Sequence, residues 1–228
     1  MPVWPDRDLR PLVGLDRAYK NLTMRSDTER DGAGTFTERA RREQILACAV
    51  GAIAELGYAR ASLAEIARRA GVSKGVVSYY FPGKERLLEQ AVADVYTRAG
   101  AAIAAATAGR TGAAFLRAYL EANLGFLADH PADIRAVTEI VMNLRGPDGA
   151  PRFAPTGEDP VLGHLEQMLR DGQQAGEFRD FDARSMAVLL RGAVDTASGR
   201  LVTDPGFDLA AYTRELVATA ELATRRAR

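Results

Sequence analysis

Ser62 to Lys84, reading S-L-A-E-I-A-R-R-A-G-V-S-K-G-V-V-S-Y-Y-F-P-G-K, constrains the fold of this chain more than any other stretch. Ser62 followed three places later by Glu65 is the pattern of a capping box. The serine oxygen accepts the amide of the third helical residue while the glutamate reaches back to the serine amide. A helix therefore begins at Ser62. Leu63, Ile66, Ala67 and Ala70 form one apolar stripe on it, with Arg68 and Arg69 facing elsewhere. Gly71 supplies a left-handed residue to end it. Ser73 can cap a second helix, so only Gly71 and Val72 separate the two, the spacing of a helix-turn-helix. Pro82 and Gly83 stop the second helix after Phe81.

On that second helix Val77, Tyr80 and Phe81 share an inward face with Val72, which leaves Ser73, Lys74, Gly75, Ser78 and Tyr79 pointing out. The outward set suits a phosphate backbone. Lys74 and Lys84 are compact positive charges at helix starts, and the serine and tyrosine hydroxyls can donate to phosphate oxygens without adding repulsive charge. Gly75 permits close approach of the backbone, and the first amides after Ser62 and Ser73 favour anions. Only Lys74, toward guanine acceptors, and Val76, toward a thymine methyl, are placed to read bases.

The run A-G-V-S-K-G followed by Y-Y-F-x-x-K-E-x-L-L, preceded by E-L-G-Y at Glu55 to Tyr58, resembles the DNA-binding domain of the TetR family of bacterial transcriptional regulators. The resemblance covers roughly Thr37 to Val92. It implies DNA contacts from Ser62, Leu63, Ser73, Lys74, Gly75, Val76, Ser78, Tyr79, Tyr80 and Lys84, with Thr37 and Arg41 or Arg42 near the backbone and Leu63 offering only its amide. Ser78 stands where many members carry tyrosine. In this it is similar to a branch that includes choline-responsive betaine regulators, although that likeness does not extend to a choline site.

The expected architecture is all-α: a three-helix DNA-binding domain over residues 35–92 and a helical effector-binding and dimerisation domain over 93–228. Residues 1–34, with Pro2, Pro5, Pro11 and no sustained period, are expected to be a disordered extension. Met24 is a candidate translation start, and Arg25 and Arg30 are candidates for a minor-groove arm. The first helix is expected from Thr35 or Thr37 to Leu56, Thr35 and Glu38 forming another capping box. Its stripe of Ile45, Ala49, Ile53 and Leu56 would support the two motif helices. A fourth helix from about Lys84 to Ala108 would join the domains and act as the lever between them.

The formal net charge is +0, so charge placement matters more than its total. Residues 35–92 hold nine Arg and Lys against six Asp and Glu, a modest excess that implies weak nonspecific affinity and a need for two copies on one site. The single cysteine, Cys48, reads as a small core residue. With two histidines, no paired metal-ligand spacing, no phosphate loop and no nucleophile elbow, the sequence argues against an enzyme, and no cofactor is expected. No apolar run has the length of a membrane span, and a cytoplasmic protein is expected.

Further helices are expected at Thr111 to Asp129, Pro131 to Leu144, Pro160 to Gln174, Asp182 to Val202 and Asp208 to Arg226, with a Pro- and Gly-rich loop over Gly146 to Asp159. The family resemblance implies a small ligand held between these helices and a homodimer formed by the last two. Ala187, Gly192, Ala193, Ala197 and Gly199 would permit close helix approach, although packing within one monomer explains them as well. The expected pocket is lined by Tyr96, Phe115, Tyr119, Phe126, Met142, Leu165 and Met168, with Asn123, Glu139, Asn143 and His164 as polar anchors. The partners implied are double-stranded operator DNA, a second copy of the chain and an unidentified small-molecule effector. Control by a protein partner, and activation instead of repression, stay open at this point.

Overall fold

The computed structural model describes residues 36–153 and 160–226. The expectations for residues 1–34, Met24 and the Thr35 cap lie outside them. Nine helices form the regular structure of the described residues: α1 (Phe36–Leu56), α2 (Leu63–Arg69), α3 (Lys74–Tyr80), α4 (Lys84–Thr107), α5 (Gly112–Asp129), α6 (Pro131–Asn143), α7 (Pro160–Gln174), α8 (Ala183–Thr203) and α9 (Leu209–Thr224).

The ends of these helices follow local chemistry. Ser62 Oγ accepts the Glu65 amide at 3.2 Å, but the reciprocal half of the expected capping box is not made. The Ser62 amide donates to the Arg60 carbonyl instead, and the Glu65 carboxylate accepts from Arg68 and Arg69. Two guanidiniums one turn along outcompete a single backbone amide for that carboxylate. At the other end of α2, Gly71 has φ 64°. Val72 N donates to Ala67 O at 3.0 Å and Gly71 N to Arg68 O at 3.2 Å, the paired bonds of a Schellman end. The α1 side chain Gln44 donates to the Ala70 carbonyl, satisfying a further orphan acceptor. Ser73 Oγ caps α3 through Val76 N at 3.2 Å, and Asp182 and Asp208 cap α8 and α9 in the same way.

The cores divide the chain differently from its sequence. One cluster joins Ile45, Ala49 and Ile53 of α1, Ile66 of α2, Val77 of α3 and Leu87 and Leu88 of α4 with Leu124, Ile134, Ile140 and Leu144 from beyond residue 93. Helix α6 packs along α1 more extensively than any other pair of helices meets. A second cluster, built from α5, α7, α8 and α9, holds Leu116, Leu120, Leu165, Leu169, Leu190 and Val217. The motif helices therefore rest on α1, and α1 rests on α6. The link to the rest of the chain, expected through α4 alone, also runs through α6.

Candidate nucleic-acid interface and effector cavity

The α2–turn–α3 unit buries Ile66, Ala67, Val77 and Phe81 and turns Ser62, Ser73, Lys74, Gly75, Val76, Ser78 and Tyr79 to the outside. Tyr79 is 77% exposed, a large aromatic left mostly in the open. A Cβ built on Gly75 would meet only the Ser73 hydroxyl, at 3.6 Å, so the start of α3 offers nearly bare backbone. Tyr80 is half-buried and stacks edge-on against Tyr79 at 5.2 Å; Leu63 is also half-buried. Thr37 is exposed near the start of α1. Arg42 is held inward, donating to Gln90 and lying 5.3 Å over the Phe81 ring, while Arg41 pairs with Gln44.

Lys84 is placed differently from a free phosphate ligand. Its Nζ donates to the Tyr58 carbonyl at 2.7 Å and sits 4.5 Å above the Tyr58 ring, and partial burial lowers its pKa. Tyr58 lies in the turn between α1 and α2, and its amide donates to Glu139 of α6 at 3.2 Å. One turn residue thus ties the root of α4 to α6. The expected anchor Glu139 is engaged in this tie and does not line the cavity, and Asn143 bonds the Glu139 carbonyl at the surface. Two ion pairs reinforce the same seam: Arg152 with Glu89 of α4, and Arg98 of α4 with Asp133 of α6 at 2.8 Å.

Behind this seam lies a cavity of about 520 Å³ between α4, α5, α6, α7 and α8. Of the residues expected there, Tyr96, Phe115, Tyr119, Asn123, Phe126 and His164 line it together. Three do not. Met142 points away and is 47% exposed, one position past the buried Val141. Leu165 is sealed inside the second core, and Met168 faces a smaller neighbouring recess beside Gly172. Ile134 and Val137 of α6 complete one wall, so the helix that holds α1 also touches the cavity.

The polar character comes from a pair the sequence reading missed. Arg191 and Asp195, one turn apart on α8, form an ion pair at 2.9 Å with side chains only 18% and 14% exposed. Burial works to lower the Arg191 pKa, but Asp195 and the neighbouring tyrosines Tyr119 and Tyr96 outweigh it and hold the guanidinium firmly charged. Tyr96 carries a sealed hydroxyl without a hydrogen-bond partner, and burial pushes its pKa well above the usual tyrosine range. Asn123 donates to the Tyr119 carbonyl at 2.7 Å.

The small residues expected on α8 differ in exposure, with Ala193 and Gly199 half-buried. Ala187 and Ala197 are fully buried in the monomer. Gly192 is exposed, and a Cβ there would meet nothing within 4 Å. Around it stand the exposed Val188 and Leu189, with Leu222 exposed on α9. Among the described residues no helix is long and apolar enough to cross a membrane.

A capped two-helix unit braced by a third helix, with its polar face outward, defines a helix-turn-helix DNA-binding fold. Residues 45–91 match the family described as bacterial regulatory proteins, tetR family. Over these residues the chain is similar to the DNA-binding domain of that family, with BetI-like similarity. The HTH-type transcriptional regulator BetI 2 of Chromohalobacter salexigens is 44% identical over 68 residues, 30% of this chain and 33% of that protein. BetI of Cronobacter sakazakii is 32% identical over 131 residues, 56% of this chain and 59% of that one. Neither match spans two thirds of the relative's length. The fold as a whole is similar to a transcriptional regulator from Saccharomonospora viridis solved in complex with choline, at 23% identity and TM-score 0.66, covering 83% of this chain and all of the other.

Proposed function

We propose that this chain is a sequence-specific DNA-binding transcriptional regulator, acting in the cytoplasm as a homodimeric repressor that a small-molecule effector releases from its operator. The observation that carries the reading is α6, which lines the cavity with Ile134 and Val137 and grips the reading unit through α1 and the Glu139–Tyr58 bond. An effector that fits the cavity better when α6 has moved shifts the population toward that arrangement. Two recognition helices must enter grooves about 34 Å apart, so a small rotation of each reader breaks simultaneous docking. Ser73, Lys74, Val76, Ser78 and Tyr79 are the contacts we assign to DNA, with Ser62, Leu63, Gly75, Tyr80 and Thr37 positioning the backbone. Lys84 acts chiefly through Tyr58.

The second copy docks on α8 and α9. Gly192, with open space where a side chain would be, and the exposed Leu189 and Leu222 support that face over packing within one chain. A mostly apolar cavity of about 520 Å³ favours a small ligand over control by a protein partner. Selection of bound fragments from the source genome tests the reading: a defined site should be enriched. The Lys74→Ala/Tyr79→Ala variant should enrich nothing while remaining a folded dimer. Enrichment of the same site by that variant would overturn the contact assignment.

A further inference from the structure

The ends of α1 and α2 close in different ways. At the end of α2 both spare amides turn back onto the helix, Gly71 N to Arg68 O and Val72 N to Ala67 O. At the end of α1, Gly57 has φ 79° and donates to Ile53 O at 2.9 Å. This is a left-handed end with a single bond, and the next amide finds its acceptor elsewhere. That amide belongs to Tyr58 and donates to Glu139 of α6 at 3.2 Å. The carbonyl of the same residue accepts from Lys84, at the root of α4, at 2.7 Å, with the ammonium 4.5 Å above the Tyr58 ring. Tyr58 is thus gripped by an anion at its N–H and a cation at its C=O, and hydrogen bonds to charged groups are the stronger kind. Only three residues separate it from the Ser62 cap. Fixing Tyr58 therefore fixes where α2 begins and, through the short turn at Gly71 and Val72, where α3 points.

We infer that Lys84 and Glu139 are a matched pair of positioning residues for DNA binding, which hold the reader in its docking pose by gripping the two backbone groups of Tyr58. Lys84 serves in this way in place of a phosphate contact. The inference rests on the DNA-binding reading proposed above. Charge counting alone gives the opposite sign for Glu139: it is an anion on a chain that meets a polyanion, so its removal would strengthen binding to any DNA. Removal of a residue that positions the reader weakens binding to the operator instead.

The test uses the full chain in two measurements. Hydrogen exchange is followed without DNA, and fluorescence anisotropy over a salt series compares the fragment enriched from the genome with a scrambled one of equal length. Glu139→Ala introduces a better helix former, and Lys84→Met keeps an apolar stem against the Tyr58 ring, so the fold is preserved. Each variant should speed exchange of the amides from Tyr58 to Phe81 and leave α7 and α9 unchanged. Glu139→Ala should weaken the enriched fragment about tenfold, the scale of effect found along coupling networks, without weakening the scrambled one. Glu139→Gln keeps an acceptor oxygen and should restore most of that loss. Lys84→Met should weaken the enriched fragment by a similar factor at an unchanged salt slope, whereas a lost phosphate contact in each copy would lower the slope by about two. The double variant should lose less than the two single losses combined, because both act through Tyr58. The inference is overturned if exchange is unchanged, if Glu139→Ala leaves or strengthens operator binding, if Glu139→Gln restores nothing, if Lys84→Met lowers the slope, or if the two losses simply combine. Enrichment of no fragment by the parent chain would defeat the regulator and this inference with it; every other failure leaves operator recognition through Lys74 and Tyr79 standing.

Discussion

Leu189→Ala isolates the proposed dimer face from the fold of the monomer. Leu189 is 68% exposed in the single chain, so its truncation removes little internal packing, and alanine is the better helix former. Monomer stability should stay within about 0.5 kcal/mol. In the proposed dimer the same side chain would be covered. Leucine carries three more carbon groups than alanine, each worth about 0.8 kcal/mol when buried. Scaled by the two thirds of Leu189 that is available for covering, the loss is about 1.6 kcal/mol per copy. A two-fold interface uses the residue twice, which gives about 3 kcal/mol and a rise of roughly 200-fold in the dimer dissociation constant. Sedimentation equilibrium over a concentration series reads that constant directly, with circular dichroism melting as the check on the monomer. An unchanged constant in a folded protein would refute the assignment of α8 to the dimer face. A collapse of the monomer would refute the premise that Leu189 is unpartnered within one chain.

Other outcomes follow from the same structure. Lys74→Ala should lower the slope of log affinity against log salt by about two in the dimer, one phosphate per reader, as measured by fluorescence anisotropy; an unchanged slope would mean Lys74 does not meet phosphate. Ser73→Ala should destabilise the protein by about 1 kcal/mol in urea denaturation through loss of the α3 cap, whereas Ser73→Asp should keep the cap and still weaken DNA binding by charge repulsion. The Arg68 and Arg69 hydrogen bonds hold the Glu65 carboxyl at about 2, below its usual 4.5. A depressed folded pKa contributes stability above the unfolded value and loses it as pH falls through the folded one. Melting temperatures of the parent and Glu65→Gln should therefore converge between pH 4.5 and 2, and parallel profiles would contradict the pairing. Arg191→Leu should cost about 3–5 kcal/mol by stranding Asp195, and Arg191→Leu/Asp195→Leu should recover most of it; thermal denaturation of both variants decides between a coupled pair and two independent residues.

The helices were legible because their punctuation is local. Ser62, Gly71, Ser73, Pro82 and Pro131 each act within one turn, and the expected boundaries of α2, α3, α5 and α6 lie within two residues of those observed. The outward face of α3 was legible for the same reason. Glu65 was misread because a capping box and an i, i+3 or i, i+4 arginine pair compete for one carboxylate, and the sequence alone does not rank them. Arg191 and Asp195 escaped notice because an arginine and an aspartate one turn apart usually face solvent. Only the packing of α8 against α5, α6 and α7 puts them indoors. Met142 and Leu165 were misplaced by less than one helical turn, enough to move a side chain from a cavity to solvent or to a filled core.

The shared core of α1 and α6 also bears on how such chains exchange parts. A reader cut out at residue 92 would leave behind the surface that covers Ile45 and Ile53, together with the carboxylate that holds the Tyr58 amide. It would be a fragment with an open apolar flank and not a transplantable module. A chimera that gives this chain a new DNA specificity must therefore either keep α1 and replace only the α2–α3 surface, or bring the matching face of α6 with it. Recombination between relatives is restricted in the same way: the reader's exposed face can diverge residue by residue, while its back can change only in step with the face of α6 that it packs on.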